Sequence, residues 1–347
     1  PRTNLNLRAT RLGRYNPLMM KVSDLGEFGV IQHIRNLIAQ RNGVQSAPFG
    51  YKLLVGVGDD TAAWRGTDAI ELATTDTMVE GVHFTRSTTP WYDVGWKIMT
   101  ANVSDIAAMG GLPLYAMITL GLPSSTLLGN IDELYTGILD MAGEYECSIV
   151  GGDLVRSPIA FITVALTGVT QANPMLRSEA HPGDMVAVVG HLGSSAGGLN
   201  LIMKGLGLDQ ERLEVLVEAH RKPRPYVQQG MILAKKGVRA SIDVSDGLVD
   251  DIAKLCQASQ VSARIRADQV PIERLLKQTF PNDHLRLALN GGEDYAIIFT
   301  APPQLMREVM LHLPLPKAVI GNIFEGDSGE VTILDASGTE IPLPQRG

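Results

Sequence analysis

The chain has only two cysteines, Cys147 and Cys256, in 347 residues. Neither sits in a metal-binding or redox spacing, so a zinc finger, a disulfide scaffold and a thiol relay are set aside. Both read as small buried hydrophobes of a protein from a reducing cytoplasm. Positive charge is also short: 30 Lys and Arg against 37 Asp and Glu leave a net charge of −7. That balance argues against a nucleic-acid partner, which would call for a basic surface. No apolar run approaches the ~20 residues of a membrane span, so no membrane partner is expected. Finally, no Gly-x-x-x-x-Gly-Lys-Ser/Thr segment is present, and a P-loop is excluded as the phosphate cradle.

What the chain does have is acid beside glycine. Six segments carry the pairing: Gly58-Asp59-Asp60, Asp76 before Glu80-Gly81, Asp105 before Gly110-Gly111, Gly152-Asp153, Asp246-Gly247 and Gly292-Glu293-Asp294. Glycine allows tight turns and close approach to a ligand. Carboxylates are the hard oxygen ligands preferred by Mg²⁺. An acidic protein that handles phosphate needs cations between the two, and the repeated pairing suggests a site where several metal ions do that work.

Hydrophobic periodicity organises the chain around these segments. A basic arm, residues 1–22, precedes a first domain at 23–172, and a Pro/Gly-bearing stretch from Asn173 to Gly183 opens a second at 173–347. In the first domain we expect helices at Phe28–Ala39, Trp91–Met109 and Ile131–Tyr145. Strands are expected at Leu53–Val57, Ala69–Thr75, Leu114–Leu120, Ser148–Val150 and Ala160–Val169. The second domain reads as strand Met185–Val189, helices through Lys236, strand Ala240–Val244, helix Leu248–Ala258 and strand Ala263–Ala267. A helix near Ile272–Thr279, strand Tyr295–Thr300, helix Gln304–Leu313 and strands Ala318–Ile323 and Val331–Leu334 complete it. Strict βαβ alternation is absent, which favours two α+β or mixed α/β domains over one doubly wound sheet.

Each acidic segment also has a plain reading. Gly-Asp is a common turn pair. His83, seven residues after Asp76, is by itself an ordinary polar histidine, and only its company suggests function. Asn102 and Asp105 share a helix face, and an acid in the last turns of a helix opposes the macrodipole unless a positive group lies near. Asp243 and Ser245 project from the same side of a strand. Asp250 and Asp251 fall in the first turn of the following helix, where acids are favourable without a ligand, and are read as structural. The run Gly190–Gly198 does not fit the dinucleotide fingerprint and reads as a strand-to-helix turn.

In order and spacing, Gly-Val-Gly-Asp-Asp, Asn-Val-Ser-Asp-Ile-Ala-Ala-Met-Gly, Gly-Gly-Asp, Asp-Val-Ser-Asp-Gly and Gly-Gly-Glu-Asp-Tyr resemble the thiamine-monophosphate kinase branch of the aminoimidazole ribonucleotide synthetase superfamily. The resemblance spans about Ser23 to Leu334. It implies an ATP site without a P-loop, built from two mixed α/β domains, and a homodimer formed through the first. By matching position it implies metal ligands at Asp60, Thr75, Asp76, Asp105, Asp153, Asp243 and Asp246, with Thr74 in the same group. It implies ATP contacts at Tyr135, Gly152, Arg177 and Ser245, and places His83 and Glu293 against thiamine phosphate. Asp105 and Asp246 are the residues on which turnover is expected to depend. An aromatic-rich tail usual in the family is missing from the sequence, which ends at Gly347.

The implied reaction converts ATP and thiamine monophosphate to ADP and thiamine diphosphate, with several Mg²⁺ ions bridging the anions. Its nucleophile, a phosphate with second pKa of about 6, needs no catalytic base. The expected division of labour leaves charge neutralisation to metals rather than lysines. Selenophosphate synthetase would need a reactive cysteine near the N-terminus, and a hydrogenase-maturation dehydratase one at the C-terminus. Both are missing. Another ATP-using member, aminoimidazole ribonucleotide synthetase-like, and a non-catalytic Mg²⁺- or Ca²⁺-dependent nucleotide-binding module are the alternatives.

Overall fold

The computed structural model describes residues 19–41, 47–58, 61–205 and 209–342. The basic arm up to residue 18, Asp59 and Asp60 lie outside the described residues. The first half comprises α1 (Val22–Arg41), β1 (Lys52–Val55), β2 (Ala63–Arg65), β3 (Ile70–Val79), α2 (Trp91–Ala108), β4 (Leu112–Leu122), α3 (Leu128–Glu144), β5 (Ser148–Arg156) and β6 (Phe161–Thr170). Four strands form one sheet in the order β3-β6-β4-β5, with only β4 and β5 parallel. β1 and β2 make a separate antiparallel ribbon.

Side chains alternate across a strand, and the register therefore sorts this sheet into two faces. Asp76, Val164, Ile118 and Gly152 are opposite one another along one row. That row faces α2 and α3, and Val164 and Ile118 are buried there. The next row carries Thr75, Ala165, Met117 and Gly151. Its face stays open: Met117 and Val155 are exposed, and Thr75 and Thr77 lie beside them at the surface.

The second half comprises β7 (Met185–Val189), α4 (Ser194–Lys204), α5 (Gln210–Arg212), a π-helical turn (Leu213–Val217), α6 (Glu218–Arg221), α7 (Val227–Lys235), β8 (Ala240–Asp243), α8 (Leu248–Ser259) and β9 (Ser262–Arg266). It continues with α9 (Arg274–Thr279), α10 (His284–Asn290), β10 (Ile297–Ala301), α11 (Pro303–His312), β11 (Lys317–Phe324) and β12 (Val331–Leu334). Its sheet runs β12-β9-β11-β7-β10-β8, antiparallel except for β12 on β9. The two halves share apolar packing. The largest core cluster joins Val94, Ile98 and Met99 of α2 to Leu233, Phe299 and Val309 of the second half. α2 is buried nearly all round because sheet, α3, α7 and β8 each pack on it. Gly230 makes one of these contacts possible: a Cβ there would meet the Ala107 carbonyl oxygen at 2.0 Å.

The mixed two-half architecture agrees with the expected α+β class. Several boundaries differ. α1 starts at Val22 rather than Phe28, crosses a kink at Gly26, and is tied down where Leu128 N–H donates to the Met20 carbonyl. Asp76, expected at a strand end, sits inside β3, which continues to Val79. Gly151-Gly152-Asp153, read as a turn after a short strand, lies within β5, held by pairing with Met117–Thr119. β2 and α10 were not expected, both being too short to show a clear period.

Candidate active site

The central helix α2 ends beside β3, and there the Thr74 hydroxyl donates to Asp105 Oδ2 at 2.5 Å. The preceding residue, Ser104, is buried and donates to Asp243 Oδ2 at 2.7 Å, joining α2 to the end of β8. Asp105 thus stands between two other carboxylates. Burial and the negative charge of Asp105 push Asp76 up to about 6. The same two causes, in the same order, push the almost wholly buried Asp243 up to about 7. His83 and Arg177 oppose these shifts, the first at Asp76 and the second at Asp243. Three mutually repelling carboxylates with few cations of their own make a place for an added cation.

A cavity of about 430 Å³ opens at this point, lined by Thr74, Asp105, Arg177, Ser178 and Ser241 and floored by apolar groups including Leu72, Ile106 and Met175. Its polar edge and apolar floor suit a heterocycle carrying phosphates. A larger cavity, about 750 Å³, lies beside Tyr92, Trp96, Lys222 and Arg224 and collects none of the expected site residues.

The second half supplies a loop and a turn in contact. In the turn after β8, the fully buried Asp251 carboxylate accepts from the backbone N–H groups of Ser245, Asp246 and Gly247 at 3.0–3.1 Å. Reading Asp251 as structural was right in kind but understated its reach, because it shapes the very turn that holds Ser245 and Asp246. Lys254 pairs with both Asp246 and Asp251. Alongside, Glu293 N–H donates to the Ser245 carbonyl at 2.8 Å, and Tyr295 N–H to that of Val244 at 2.9 Å. Glu293 and Tyr295 both have left-handed backbones, with φ of 63° and 51°. Such conformations cost free energy and persist where the surroundings impose them. Tyr295, buried, feels the negative charges of Glu293, Asp243, Asp76 and Asp105 together, in addition to burial, and its hydroxyl is held well above the usual phenol range. It is the one side chain linking the acidic groups of both halves.

Not every expected residue joins this set. Thr75 and Asp153 lie on the open face of the first sheet, across it from Asp76. Thr75 donates to the Val164 carbonyl, while Asp153 accepts from Leu154 N–H. Gly152 fits β5 because a Cβ there would meet the Ile118 carbonyl oxygen at 1.9 Å. Tyr135 is buried in the core on α3 and does not line the cavity. His83 is exposed, its Nδ1 accepting from Val79 N–H, close enough to Asp76 to favour its ionised form. Asp246 is largely exposed.

Two lysines correct the expectation that lysine plays no part. Lys254 sits on Asp246, and Lys97, fully buried on α2, donates to Glu293 Oε2 at 2.8 Å. Sequence reading passed over Lys97 because an apolar helical face surrounds it. The glycine-rich run is a strand-to-helix turn, as expected, and its N–H groups are already used: Asp294 accepts from Gly193 at 2.6 Å and Ser195 at 3.0 Å.

Comparison with known proteins agrees with this arrangement. Residues 58–171 match the model for AIR synthase related protein, N-terminal domain, and residues 181–334 that for its C-terminal domain. The thiamine-monophosphate kinase of Aquifex aeolicus (strain VF5) is 34% identical over 315 residues, covering 89% of this chain and 94% of the relative. The crystal structure of thiamine-monophosphate kinase from Stenotrophomonas maltophilia K279a superposes with a TM-score of 0.75 at 31% identity, over 88% of this chain and 95% of that one. The solved complex of AaThiL with AMPPCP and TMP gives 0.72 at 33%, over 93% and 96%.

Proposed function

The chain belongs to the AIR synthase related family, in its thiamine-monophosphate kinase branch, and on that premise we propose that it transfers the γ-phosphoryl group of ATP to thiamine monophosphate, giving thiamine diphosphate and ADP. The observation that carries this reading is the convergence of Thr74, Asp105 and Arg177 on one cavity, with Asp76 and Asp243 in the field of Asp105.

The acceptor phosphate is already mostly a dianion at neutral pH, so the work lies in bringing two anions into line rather than in removing a proton. Arg177, exposed at the cavity rim, is placed to neutralise nucleotide phosphate. Thr74 fixes one oxygen of Asp105, and Ser104 one of Asp243, so that the remaining oxygens point in defined directions. Asp251 fixes the turn bearing Ser245 and Asp246. Carboxylates and hydroxyls are the hard donors that Mg²⁺ takes, and Asp76, Asp105 and Asp243 would hold it, with Asp60, Thr74, Thr75, Asp153 and Asp246 as further ligands. Among the described residues no three His, Cys, Asp or Glu side chains enclose an ion by themselves, a pattern that suits Mg²⁺ sites completed by substrate phosphates. When bound, the metal screens repulsion between the anions and stabilises charge developing in transfer.

The open sheet face carrying Thr75, Ala165 and Met117 supports a homodimer, a second copy covering its apolar and hydroxyl-bearing surface. Among the described residues no helix is long and apolar enough to cross a membrane. The test of function is ADP formation with Mg²⁺ and ATP, comparing thiamine, thiamine monophosphate and aminoimidazole precursors. Dependence on thiamine monophosphate is the expected result. ADP formation driven by an aminoimidazole precursor, or ATP binding without turnover, overturns it.

A further inference from the structure

Lys97 has no solvent contact, yet it is placed in the middle of an otherwise apolar helix. An unpaired ammonium there would be costly. Its Nζ lies 2.8 Å from Glu293 Oε2 and 3.4 Å from His220 Nδ1, and His220 Nδ1 is 3.2 Å from Ser195 Oγ. A lysine ammonium offers no lone pair, so His220 Nδ1 is the acceptor and its hydrogen sits on Nε2. Burial, then the charges of Lys97 and Arg221, push His220 down to about 3, so the imidazole is neutral near pH 7. Glu293 therefore has one charged partner in this cluster, and it comes from the other half of the molecule. About a third of the Glu293 side chain remains exposed, 30%. Its carboxylate is held at Oε2 and open elsewhere. The loop bearing it has two left-handed non-glycine residues, and so depends on outside contacts for its shape.

We propose that Lys97 is a positioning residue for the acceptor substrate: it anchors Glu293 Oε2 from across the interface and so directs the free part of that carboxylate toward thiamine monophosphate. The inference rests on the kinase reading and on Glu293 facing that substrate. It adds a residue and a division of labour, in which α2 serves the nucleotide through Asp105 at its end and the acceptor through Lys97 at its middle. Lys97 itself touches neither.

The experiment is steady-state kinetics with ATP and thiamine monophosphate varied separately, on the full chain carrying Lys97→Met, Glu293→Gln or both. Methionine keeps length and removes the charge. Lys97→Met is expected to raise KM for thiamine monophosphate at least about tenfold and leave KM for ATP within about twofold. Glu293→Gln should show the same split, and the double variant should be no worse than the more affected single variant, since both remove one interaction. Equal rises in both KM values, an unchanged KM for thiamine monophosphate, or multiplicative effects in the double variant overturn the proposal. If Lys97→Met does not fold, Glu293→Gln decides alone, because its side chain is partly exposed and Lys97 is retained: an unchanged KM for thiamine monophosphate is fatal. Failure of the kinase reading looks different, because the unmutated chain would then show no ADP formation dependent on thiamine monophosphate.

Discussion

Thr74 and Asp105, 31 residues apart in sequence, share a hydrogen at 2.5 Å where a strand crosses the end of a helix. That contact fixes the carboxylate whose charge raises both Asp76 and Asp243. Asp105→Asn should therefore have opposite effects on function and stability. Turnover falls at least about 100-fold, the scale of losing a preorganised electrostatic contact. Metal-free stability rises, because the central repulsion is gone. A coupled ADP assay and a thermal melt in EDTA check the two together. Asp246→Asn should lose turnover with the fold intact. Near-normal rates in both variants would end the site assignment.

Asp251→Asn should weaken the folded state by on the order of 3 kcal/mol, since three backbone donors and Lys254 lose a charged acceptor. The urea midpoint, at constant m-value, reads this loss. Asp250→Asn, next in sequence and half-buried, should cost far less.

These two aspartates show how much of the molecule was legible beforehand. Long periodic elements were readable: α2 and β6 fall within a residue of their expected limits because each keeps one period over ten or more residues. Spatial meaning was not. Asp250 and Asp251 are both helix-start acids by pattern, and only the fold turns one inward. In the same way, Asp76 and Thr75 look like one metal-binding pair in sequence, yet strand alternation sends them to opposite faces. Lys97 was invisible because a charge in an apolar helix announces itself only through its partner, here 196 residues away. Glu293 and Tyr295 carry left-handed backbones that their residue types do not advertise.

Burial, opposed by backbone hydrogen bonds from Ser195 and Gly193, pushes Asp294 up to about 7, above its ordinary value of 3.8. Between those values the folded chain holds a proton that the unfolded chain has released. Stability should thus fall as pH rises from about 4 to 7 and level off above. Asp294→Asn should flatten that slope. Melting temperatures at half-unit intervals, in metal-free buffer, measure it. A wild-type slope unchanged by the substitution would contradict the assignment.

Gly230→Val should destabilise by about 1–3 kcal/mol, the usual range for overpacking, because any Cβ meets the Ala107 carbonyl oxygen at 2.0 Å. Chemical denaturation provides the number. The activity lost at a given temperature should track the unfolded fraction and no more.

Ala165→Arg, on the half-buried open face of the first sheet, should shift the protein from dimer to monomer in sedimentation at micromolar concentration. A monomeric wild-type protein would remove the basis for that assembly.

The Asp251 carboxylate holds a turn whose own side chains contribute nothing to its shape. Someone transplanting the Asp-Val-Ser-Asp-Gly pentapeptide into a foreign scaffold would carry the ligands and leave behind their template, which sits a full helical turn downstream and points back. The smallest portable unit runs from Asp243 to Lys254, strand end, turn and helix start together. A motif search confined to the pentapeptide would accept impostors that lack the returning acid.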